Sequence, residues 1–235
     1  MPAHDAPEAE TKCTGCGQCV EVCPTAAFLE ADGTAAFLKA VADLSRDGKN
    51  DVAATMFNDG DVRAWMRFDQ AGSLWWETSV DTSCPGAADL AVGDVDGDGD
   101  LDLAGVGRTG NSVTWWESSG TALPTWTPHQ LTSSFTGASA VALADLDRDG
   151  DLDLLAGTSS SKVLAWWEND TGTGSAWTSH VIDTGVGVRD LAVGYLNHDG
   201  LLDIAVVACC DSDLLGTVVV YLGFNPDTNA WWEDE

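Results

Sequence analysis

The stretch Asp94-Val-Asp96-Gly-Asp98-Gly99-Asp-Leu-Asp102 decides the fold of this chain, because close copies of it occur four times within 235 residues. The copies begin at positions 43, 94, 145 and 195, so the repeat period is about 50 residues. A fixed period of this length is typical of propeller blades or of units in an array. The sequence therefore predicts a repeat protein built around aspartate-rich turns.

Each repeat contains four short apolar runs separated by Gly, Ser, Pro and Thr. In the second repeat one run leads into the acidic loop and the next leaves it, which predicts a β-hairpin. Runs at 112–117 and 126–132 supply a third and a fourth strand. Four short strands per unit make one propeller blade. We therefore expect an all-β fold over residues 39–235, with blades at about 39–87, 88–138, 139–187 and 188–235.

Four blades are at the lower limit for closing a propeller ring. The sequence ends shortly after Trp231 and Trp232, about where the last strand of the fourth blade should begin, so one strand is expected to be short. Either an N-terminal hairpin completes this blade, or the ring is open and incomplete. Because an open array exposes an unpaired edge, the second alternative predicts a homo-oligomer that completes the propeller.

The eleven Trp residues sit at positions that the repeat register explains, including the pairs 115–116 and 166–167. We interpret them as packing residues between blades. Adjacent residues of a strand point to opposite faces, so the alternative is that one Trp of each pair belongs to an aromatic platform for sugars. His129 and His180 occupy equivalent places in two repeats and are interpreted as repeat positions, not as catalytic residues.

The charge of the chain restricts its partners. The net charge is -28, with ten basic residues against 38 acidic ones. Such a surface repels the phosphates of nucleic acids and anionic membranes, so cations are the natural counterpart. The first ten residues lack the basic and apolar regions of a signal peptide, and no stretch approaches the length that spans a bilayer. We expect no membrane insertion.

The acidic loops have the chemistry of a calcium site. Calcium takes six to eight oxygen ligands, and alternate carboxylates on a tight loop point at one centre while a glycine permits the turn. Loop position seven adds a backbone carbonyl, from Asp100 or Asp151. If these were hairpin turns without an ion, their carboxylates would repel one another. The best sites are predicted at Asp94, Asp96, Asp98 and Asp102, and at Asp145, Asp147, Asp149 and Asp153.

The first and fourth loops depart from this pattern. The first loop has Ser45 at position three, so its site, formed by Asp43, Ser45, Asp47 and Asp51, is expected to be weaker. In the fourth loop Tyr195 replaces the opening acid. Its remaining candidate ligands are Asn197, Asp199 and Asp203, and we expect this site to be weak or empty.

The acidic turns, the apolar strand after them and the Val-x-x-Trp-Trp-Glu strand together resemble FG-GAP or VCBS repeats, the calcium-bearing blades of integrin-α-like β-propellers. The resemblance covers about residues 39–235. It implies that the loop joins the first two strands of a blade and binds calcium. It also implies a role in adhesion, recognition or scaffolding, usually outside the cell and usually in a ring of seven blades.

A second motif lies near the N-terminus, where Cys13, Cys16, Cys19 and Cys23 follow the C-x2-C-x2-C-x3-C-P spacing of bacterial ferredoxins. After a flexible segment 1–12, residues 13–38 thus resemble half of a [4Fe-4S] ferredoxin domain with its following hairpin. No second run exists to complete the ligand set, so the fourth ligand is Cys23, Cys84 or a cysteine of a second copy. A zinc site or disulfides are the alternatives.

Two functions follow from these motifs. The first is a non-enzymatic calcium-binding propeller that recognises a protein or a glycan. The second is an iron-sulfur electron-transfer protein that carries its cluster on a propeller scaffold. The sequence shows no His, carboxylate or Ser constellation for catalysis. The propeller resemblance favours an extracellular or cell-surface location and the cysteine motif favours the cytoplasm, so the compartment stays open.

Overall fold

The computed structural model describes residues 27–29, 35–68, 74–208, 217–225 and 230–234. These residues form antiparallel sheets in which strands that follow one another in sequence are hydrogen-bonded neighbours. Within these ranges there is no helix that is long and apolar enough to cross a membrane. The expected all-β fold of propeller blades is confirmed.

Each sheet corresponds to one blade. The first contains β1 (Ala27–Leu29), β2 (Ala35–Ala42), β3 (Asp51–Met56), β4 (Asp61–Arg67) and β5 (Trp75–Asp81). The second contains β6 (Ala87–Gly93), β7 (Asp102–Gly107), β8 (Ser112–Ser118) and β9 (Trp126–Thr132). The third contains β10 (Ala138–Ala144), β11 (Asp153–Thr158), β12 (Leu164–Asn169) and β13 (Trp177–Asp183). The fourth contains β14 (Val188–Gly194), β15 (Asp203–Ala208), β16 (Val218–Asn225) and β17 (Ala230–Asp234).

The N-terminal end of the repeat array differs from the sequence expectation, and the C-terminal end agrees with it. The N-terminal hairpin forms, with Ala27 opposite Phe37, but its second strand is also the first long strand of blade one. Strand β2 therefore crosses the expected boundary between residues 38 and 39. The last strand of the fourth blade is short, as expected: β17 has 5 residues, against 7 in each of β5, β9 and β13, and it pairs with β16. The N-terminal hairpin accordingly extends the first blade and not the fourth.

The core lies between blades. Three hydrophobic clusters join blade one to two, two to three and three to four. In each cluster an aromatic side chain on the third long strand of the later blade packs against the earlier blade. These side chains are Trp116, Trp167 and Tyr221. Among the described residues no such cluster joins the fourth blade to the first.

Both Trp residues of a pair are buried because an inner blade is flanked on both faces. Trp116 packs in the cluster with blade one and Trp115 in the cluster with blade three. Their exposed fractions are 0% and 1%. Trp166 and Trp167 are buried in the same way in blade three. The packing interpretation is confirmed for these two pairs, and the alternative of an exposed sugar platform is wrong for them.

Candidate metal centre

The four acidic loops join the first two long strands of the blades, and each ends at the aspartate that begins the second of those strands. The loop backbone is tightly wound, with positive φ at positions four and six. Position six is always Gly, as the sequence predicted. Position four is Arg46, Gly97, Arg148 or His198, with φ of 56°, 73°, 68° and 63°. Three L-residues with side chains thus adopt a conformation that they rarely take, which a tight loop enforces.

The aspartate at position nine fastens the loop to its own blade. Asp102 is fully buried, and its two oxygens accept the backbone N–H groups of Val95 (2.9 Å) and Ser118 (2.8 Å). Val95 lies in the loop and Ser118 at the end of the third long strand. Asp153 and Asp203 make the same pair of contacts in their blades, and Asp51 accepts the N–H groups of Arg67 and of Ser45, at position three of its loop. We call this arrangement the aspartate staple.

Three carboxylates converge in each of the two central loops. In the second loop they are Asp94, Asp96 and Asp102, with one oxygen from each within 4.8 Å of the others. In the third loop they are Asp145, Asp147 and Asp149, within the same distance. The remaining predicted ligands, Asp98 and Asp153, belong to the same loops but lie outside these groups of three. All candidate donors are oxygens, which suits a hard cation such as calcium.

An orphaned atom in each central loop tests whether a cation fits. The Oδ1 atoms of Asp94 and Asp145 are buried and accept no hydrogen bond. A buried carboxylate oxygen without a partner is costly unless it ligates a cation or becomes protonated. The corresponding oxygens of Asp43 in the first loop accept the N–H groups of Asp47 and Gly48. The central loops therefore fit a calcium ion, and the fit rests on their own chemistry.

Burial and repulsion make these carboxylates hard to ionise without a cation. The pKa of Asp102 is raised to about 7, chiefly by burial and also by neighbouring carboxylates. The hydrogen bonds from Ser118 and Val95 lower it and offset part of this effect. The pKa of Asp153 is raised to about 7, also chiefly by burial. Burial likewise raises the pKa of Asp96 and Asp147. A bound cation would reverse this cost by stabilising the charged forms.

A lysine offsets part of the negative charge of the first loop. Lys49, at position seven, forms an ion pair with Asp47, and this contact holds the pKa of Asp47 below its usual value. Ser45 is buried at position three and brings no carboxylate. The described carboxylates of this loop do not form a group of three of the kind seen in the central loops. The structure thus places a lysine ammonium beside the predicted ligands.

The fourth loop keeps the staple but not the convergence. The Asn197 amide donates to Asp199 at 2.9 Å, and Tyr195 is 63% exposed. Asp203 still accepts N–H groups from Leu196 and from Gly223. Its described acidic side chains do not meet as a group of three.

One contact between loops was not foreseen from the sequence. The guanidinium of Arg46, in the first loop, forms an ion pair with the carboxylate of Asp100 in the second loop. Asp100 had been expected to contribute only its backbone carbonyl at position seven. Its side chain is 10% exposed and instead joins two blades. No sequence pattern indicates which loop positions meet across a blade interface.

The two repeated histidines cover buried tryptophans. His129 stacks on Trp115 with ring centroids 4.3 Å apart, and its Nε2 atom lies 2.9 Å from Glu117 Oε2. In the third blade His180 stacks on Trp166 at 4.6 Å. This geometry accounts for both residues as parts of the repeat.

Of the candidate cluster ligands, Cys84 belongs to the part of the chain that the structure describes. Cys13, Cys16, Cys19 and Cys23 lie outside the described residues. Cys84 is 3% exposed and packs in the cluster between the first two blades. Burial raises the pKa of its thiol to about 11. Because an iron-sulfur ligand must be a thiolate, this position favours a packing role over the alternative ligand role considered above.

Together, the sheets and acidic loops define a β-propeller repeat protein. The sequence matches the FG-GAP-like repeat family over residues 43–105, 94–156 and 150–206, which is more than half of the chain. The chain therefore belongs to the FG-GAP-like repeat family. Residues 9–29 match the 4Fe-4S binding domain family, which confirms the ferredoxin-like resemblance of the N-terminal segment.

Comparison with whole proteins adds little detail. No curated protein matches the chain. Among solved structures, a chain in the crystal structure of BBS1N in complex with ARL6DN, soaked with lead, is similar with a TM-score of 0.43 and 14% sequence identity. The match covers 83% of this chain and 66% of that one, so the chain spans just under two thirds of its length.

Proposed function

We propose that this protein is a non-enzymatic, calcium-binding β-propeller repeat that serves in recognition or scaffolding. The observation that carries the proposal is the buried, unpartnered Oδ1 atom of Asp94 and of Asp145 beside convergent carboxylates. Each central loop holds one calcium ion through its side chains at positions one, three, five and nine. Bound calcium supplies positive charge that stabilises the ionised loop and stiffens the turn.

A patch of exposed apolar side chains supports the recognition role. Phe68, Leu74 and Trp76 lie on one face of the β4–β5 pair, and their exposed fractions are 43%, 62% and 58%. Clustered exposed apolar groups mark binding surfaces more often than isolated ones do. The ligand is a protein or a glycan, and aromatic rings suit either class. Binding of an arrayed glycan or protein that is lost in Trp76→Ser and retained in Val181→Ser would support this surface.

Metal analysis tests the calcium assignment. After dialysis against micromolar calcium, we expect inductively coupled plasma mass spectrometry to find two calcium ions per chain. Asp94→Asn and Asp145→Asn should each remove one ion, and the double variant both. Asp43→Asn, the same change in the first loop, is the matched control and should remove none. Circular dichroism checks that each variant is folded. An equal loss in all single variants, or a wild-type chain without calcium, would refute the assignment.

The family match at residues 9–29 favours a second candidate function, electron transfer. In this reading Cys13, Cys16, Cys19 and Cys23 supply thiolates to one [4Fe-4S] cluster, which would carry single electrons. Anaerobically purified protein should then contain about four irons and four sulfides per chain. Cys16→Ser should lose the cluster, whereas Cys84→Ser should keep it. Calcium without iron and sulfide would remove this candidate and leave the first one intact.

A further inference from the structure

One buried asparagine joins the two central loops. Asn169 is the last residue of β12 in blade three, and it is completely buried. Its Nδ2 atom donates to the carbonyl oxygen of Val95, in the second loop, at 2.9 Å. The same nitrogen donates to the carbonyl oxygen of Leu152, in the third loop, at 3.4 Å. A single amide group thus connects one candidate metal centre to the other.

The two acceptors of this amide lie among the candidate ligands. Val95 occupies position two of its loop, between two of the convergent carboxylates, and its N–H is held by Asp102 at 2.9 Å. Leu152 occupies position eight of the third loop, and the backbone N–H of Asn169 donates to Asp153 at 3.0 Å. A chain of hydrogen bonds through Val95 and Asn169 therefore links the staple of the second loop to the staple of the third.

The turn that follows Asn169 lies against both loops. The Oδ1 atom of Asn169 accepts the N–H of Gly174 at 3.1 Å and so fixes this turn. A Cβ atom on Gly172 would lie 2.2 Å from the carboxylate of Asp151, at position seven of the third loop. The carbonyl oxygen of Gly172 is 3.3 Å from the place that a Cβ atom on Gly97, in the second loop, would take. A movement of either loop would therefore disturb the turn and the asparagine that holds it.

The neighbouring blade junctions do not have this amide. The residues equivalent to Asn169 are Ser118 in blade two and Gly223 in blade four, since their N–H groups bind the staple aspartates of those blades. The Ser118 hydroxyl accepts a backbone N–H of its own blade, and glycine has no side chain. The first two loops are joined instead by the ion pair of Arg46 with Asp100, in which the arginine is 54% exposed, and exposed pairs contribute little. The buried bridge thus stands between the two loops that bring three carboxylates together.

We propose that Asn169 couples the two calcium sites, so that an ion bound in one central loop raises the affinity of the other loop. This inference rests on the calcium binding proposed above. Without an ion, repulsion between carboxylates loosens each loop. An ion that fixes the second loop also fixes the Val95 carbonyl and, through Asn169, the third loop. The next ion then has less conformational entropy to remove, and linkage makes the effect equal in both directions.

The sign of the coupling identifies what carries it. Two bound cations repel each other through space, and this repulsion makes each ion weaken the binding of the other. Salt screens the repulsion, since the Debye length is about 8 Å at physiological ionic strength. Coupling through the buried amide has the opposite sign. We therefore expect cooperative binding at physiological salt, and we expect it to persist when more salt is added.

Isothermal titration calorimetry with calcium tests the coupling. The wild-type chain should bind two ions cooperatively. Asp145→Asn, which removes the third-loop ion, should bind its remaining ion about fivefold more weakly than the wild-type chain binds its second ion, a factor at the low end of usual couplings. Asn169→Ser gives blade three the residue that blade two has at this position. This variant should still bind two ions, but independently of each other.

An asparagine at the opposite end of the same two blades is the matched control. The Asn111 side chain accepts the N–H of Gly137 at 3.2 Å, and so also joins blade two to blade three. It lies in the turn between β7 and β8, away from the acidic loops. Its φ of 54° suits glycine, so Asn111→Gly removes the amide without strain. This variant should keep the cooperativity of the wild type.

Hydrogen exchange gives a second readout that does not need Asn169 to be changed. In Asp94→Asn only the third loop holds an ion. Calcium should nevertheless slow amide exchange at residues 95–99, in the empty second loop. Adding Asn169→Ser should abolish this protection, whereas adding Asn111→Gly should preserve it. Circular dichroism spectra that match the wild type establish that the variants are folded.

The outcomes separate this inference from the calcium assignment. A wild-type chain that binds no calcium would refute the assignment and the coupling together. Two ions bound independently or with negative cooperativity would overturn the coupling alone. So would cooperativity that survives in Asn169→Ser, or an empty second loop whose exchange in Asp94→Asn does not respond to calcium. If Asn169→Ser does not fold, the affinity of Asp145→Asn and the exchange in Asp94→Asn still decide the question.

Discussion

The central loops and the outer loops share one backbone design but differ in their charges. All four loops carry the aspartate staple and the positive φ at positions four and six. Only the second and third bring three carboxylates together with an orphaned buried oxygen. Asp203 keeps its staple although Tyr195 and Asn197 replace the acids of positions one and three. The loop is therefore built by the ninth aspartate and the turn, and the convergence of carboxylates is a separate property.

The same contrast between centre and ends applies to packing. Trp116 and Trp167 pack between two blades, whereas Trp65 at one end and Val207 and Val218 at the other are partly open. Side chains at equivalent register positions thus contribute differently to stability, because different neighbours cover them. The two contrasts are independent, since one concerns carboxylates at the loops and the other concerns apolar faces of the sheets.

The largest effect is expected from removing a staple. Asp102→Ala leaves the N–H groups of Val95 and Ser118 without their acceptor, and each buried unpaired donor costs about 1 to 3 kcal/mol. We expect the free energy of unfolding to fall by about 2 to 5 kcal/mol in EDTA. Asp203→Ala should cause a similar loss. Urea unfolding with and without calcium measures both.

The two variants should differ in how calcium changes their loss of stability. Asp102→Ala should lose more stability in calcium than in EDTA, because it also removes a ligand. Asp203→Ala should lose the same amount in both conditions. The exposed Asp98, changed to Ala, is the control that should cost little in EDTA. A calcium-dependent loss in Asp203→Ala would contradict the separation of staple and metal site.

Tryptophans at equivalent positions of two blades should give a comparable loss at the centre of the array and a smaller one at its end. Trp116→Ala empties a fully buried site and removes the indole hydrogen bond to Asp81 (2.9 Å), so we expect a loss of about 3 to 5 kcal/mol. Trp65→Ala should cost about 1 to 2 kcal/mol in dilute solution, since the side chain is only half-buried. Urea unfolding of the two variants measures both losses. Equal losses would contradict the contrast between centre and ends.

The sequence was sufficient for the repeats and the strands, because these depend on local pattern. Period, turn glycines and alternate aspartates are all visible along the chain. The questions that the sequence left open depend on the neighbouring blade. Whether both Trp of a pair are buried is decided by having a blade on each face, which no single repeat reveals.

The ninth aspartate shows a different limit. Its spacing fits a calcium ligand and a hydrogen-bond acceptor equally well, so the sequence could not separate the two roles. The presence of Asp203 in a loop without Asp at positions one and three was the signal that could have done so. Arg46 and Arg148 gave no signal, because their left-handed conformation follows from loop closure and not from residue type.

The stability of the metal-free central loops should depend on pH through Asp102 and Asp153. The folded pKa of Asp102 and Asp153 is about 7, against an ordinary value of 3.8. The metal-free folded state therefore holds protons that the unfolded state has lost, so its free energy of unfolding falls as pH rises from about 4 to 7. Bound calcium favours the ionised forms and offsets this loss.

We therefore expect the difference in Tm between calcium and EDTA to widen from pH 5.5 to pH 8. Differential scanning fluorimetry at constant ionic strength measures it. In EDTA, Asp102→Asn combined with Asp153→Asn should flatten the pH dependence, since the titrating groups are gone. A metal-free wild-type protein whose Tm rises steadily from pH 5 to pH 8 would show that these carboxylates are already ionised in the fold.

The smallest effect is expected from rebuilding a site in the first loop. Ser45 is 5% exposed with an unpartnered hydroxyl, and Lys49 forms an ion pair with Asp47. The loop therefore has the staple and the turn but lacks the convergent carboxylates of the central loops. Ser45→Asp combined with Lys49→Asp gives it the residues of the second loop at positions three and seven. We expect a third calcium ion per chain and a Tm in calcium that is higher by a few degrees. Asn197→Asp is the matched control, because Tyr195 still lacks the opening carboxylate, and it should add no ion. If the rebuilt first loop binds nothing, the shared backbone is insufficient for a site, and the orphaned oxygen of Asp94 and Asp145 gains importance as the feature that distinguishes the central loops.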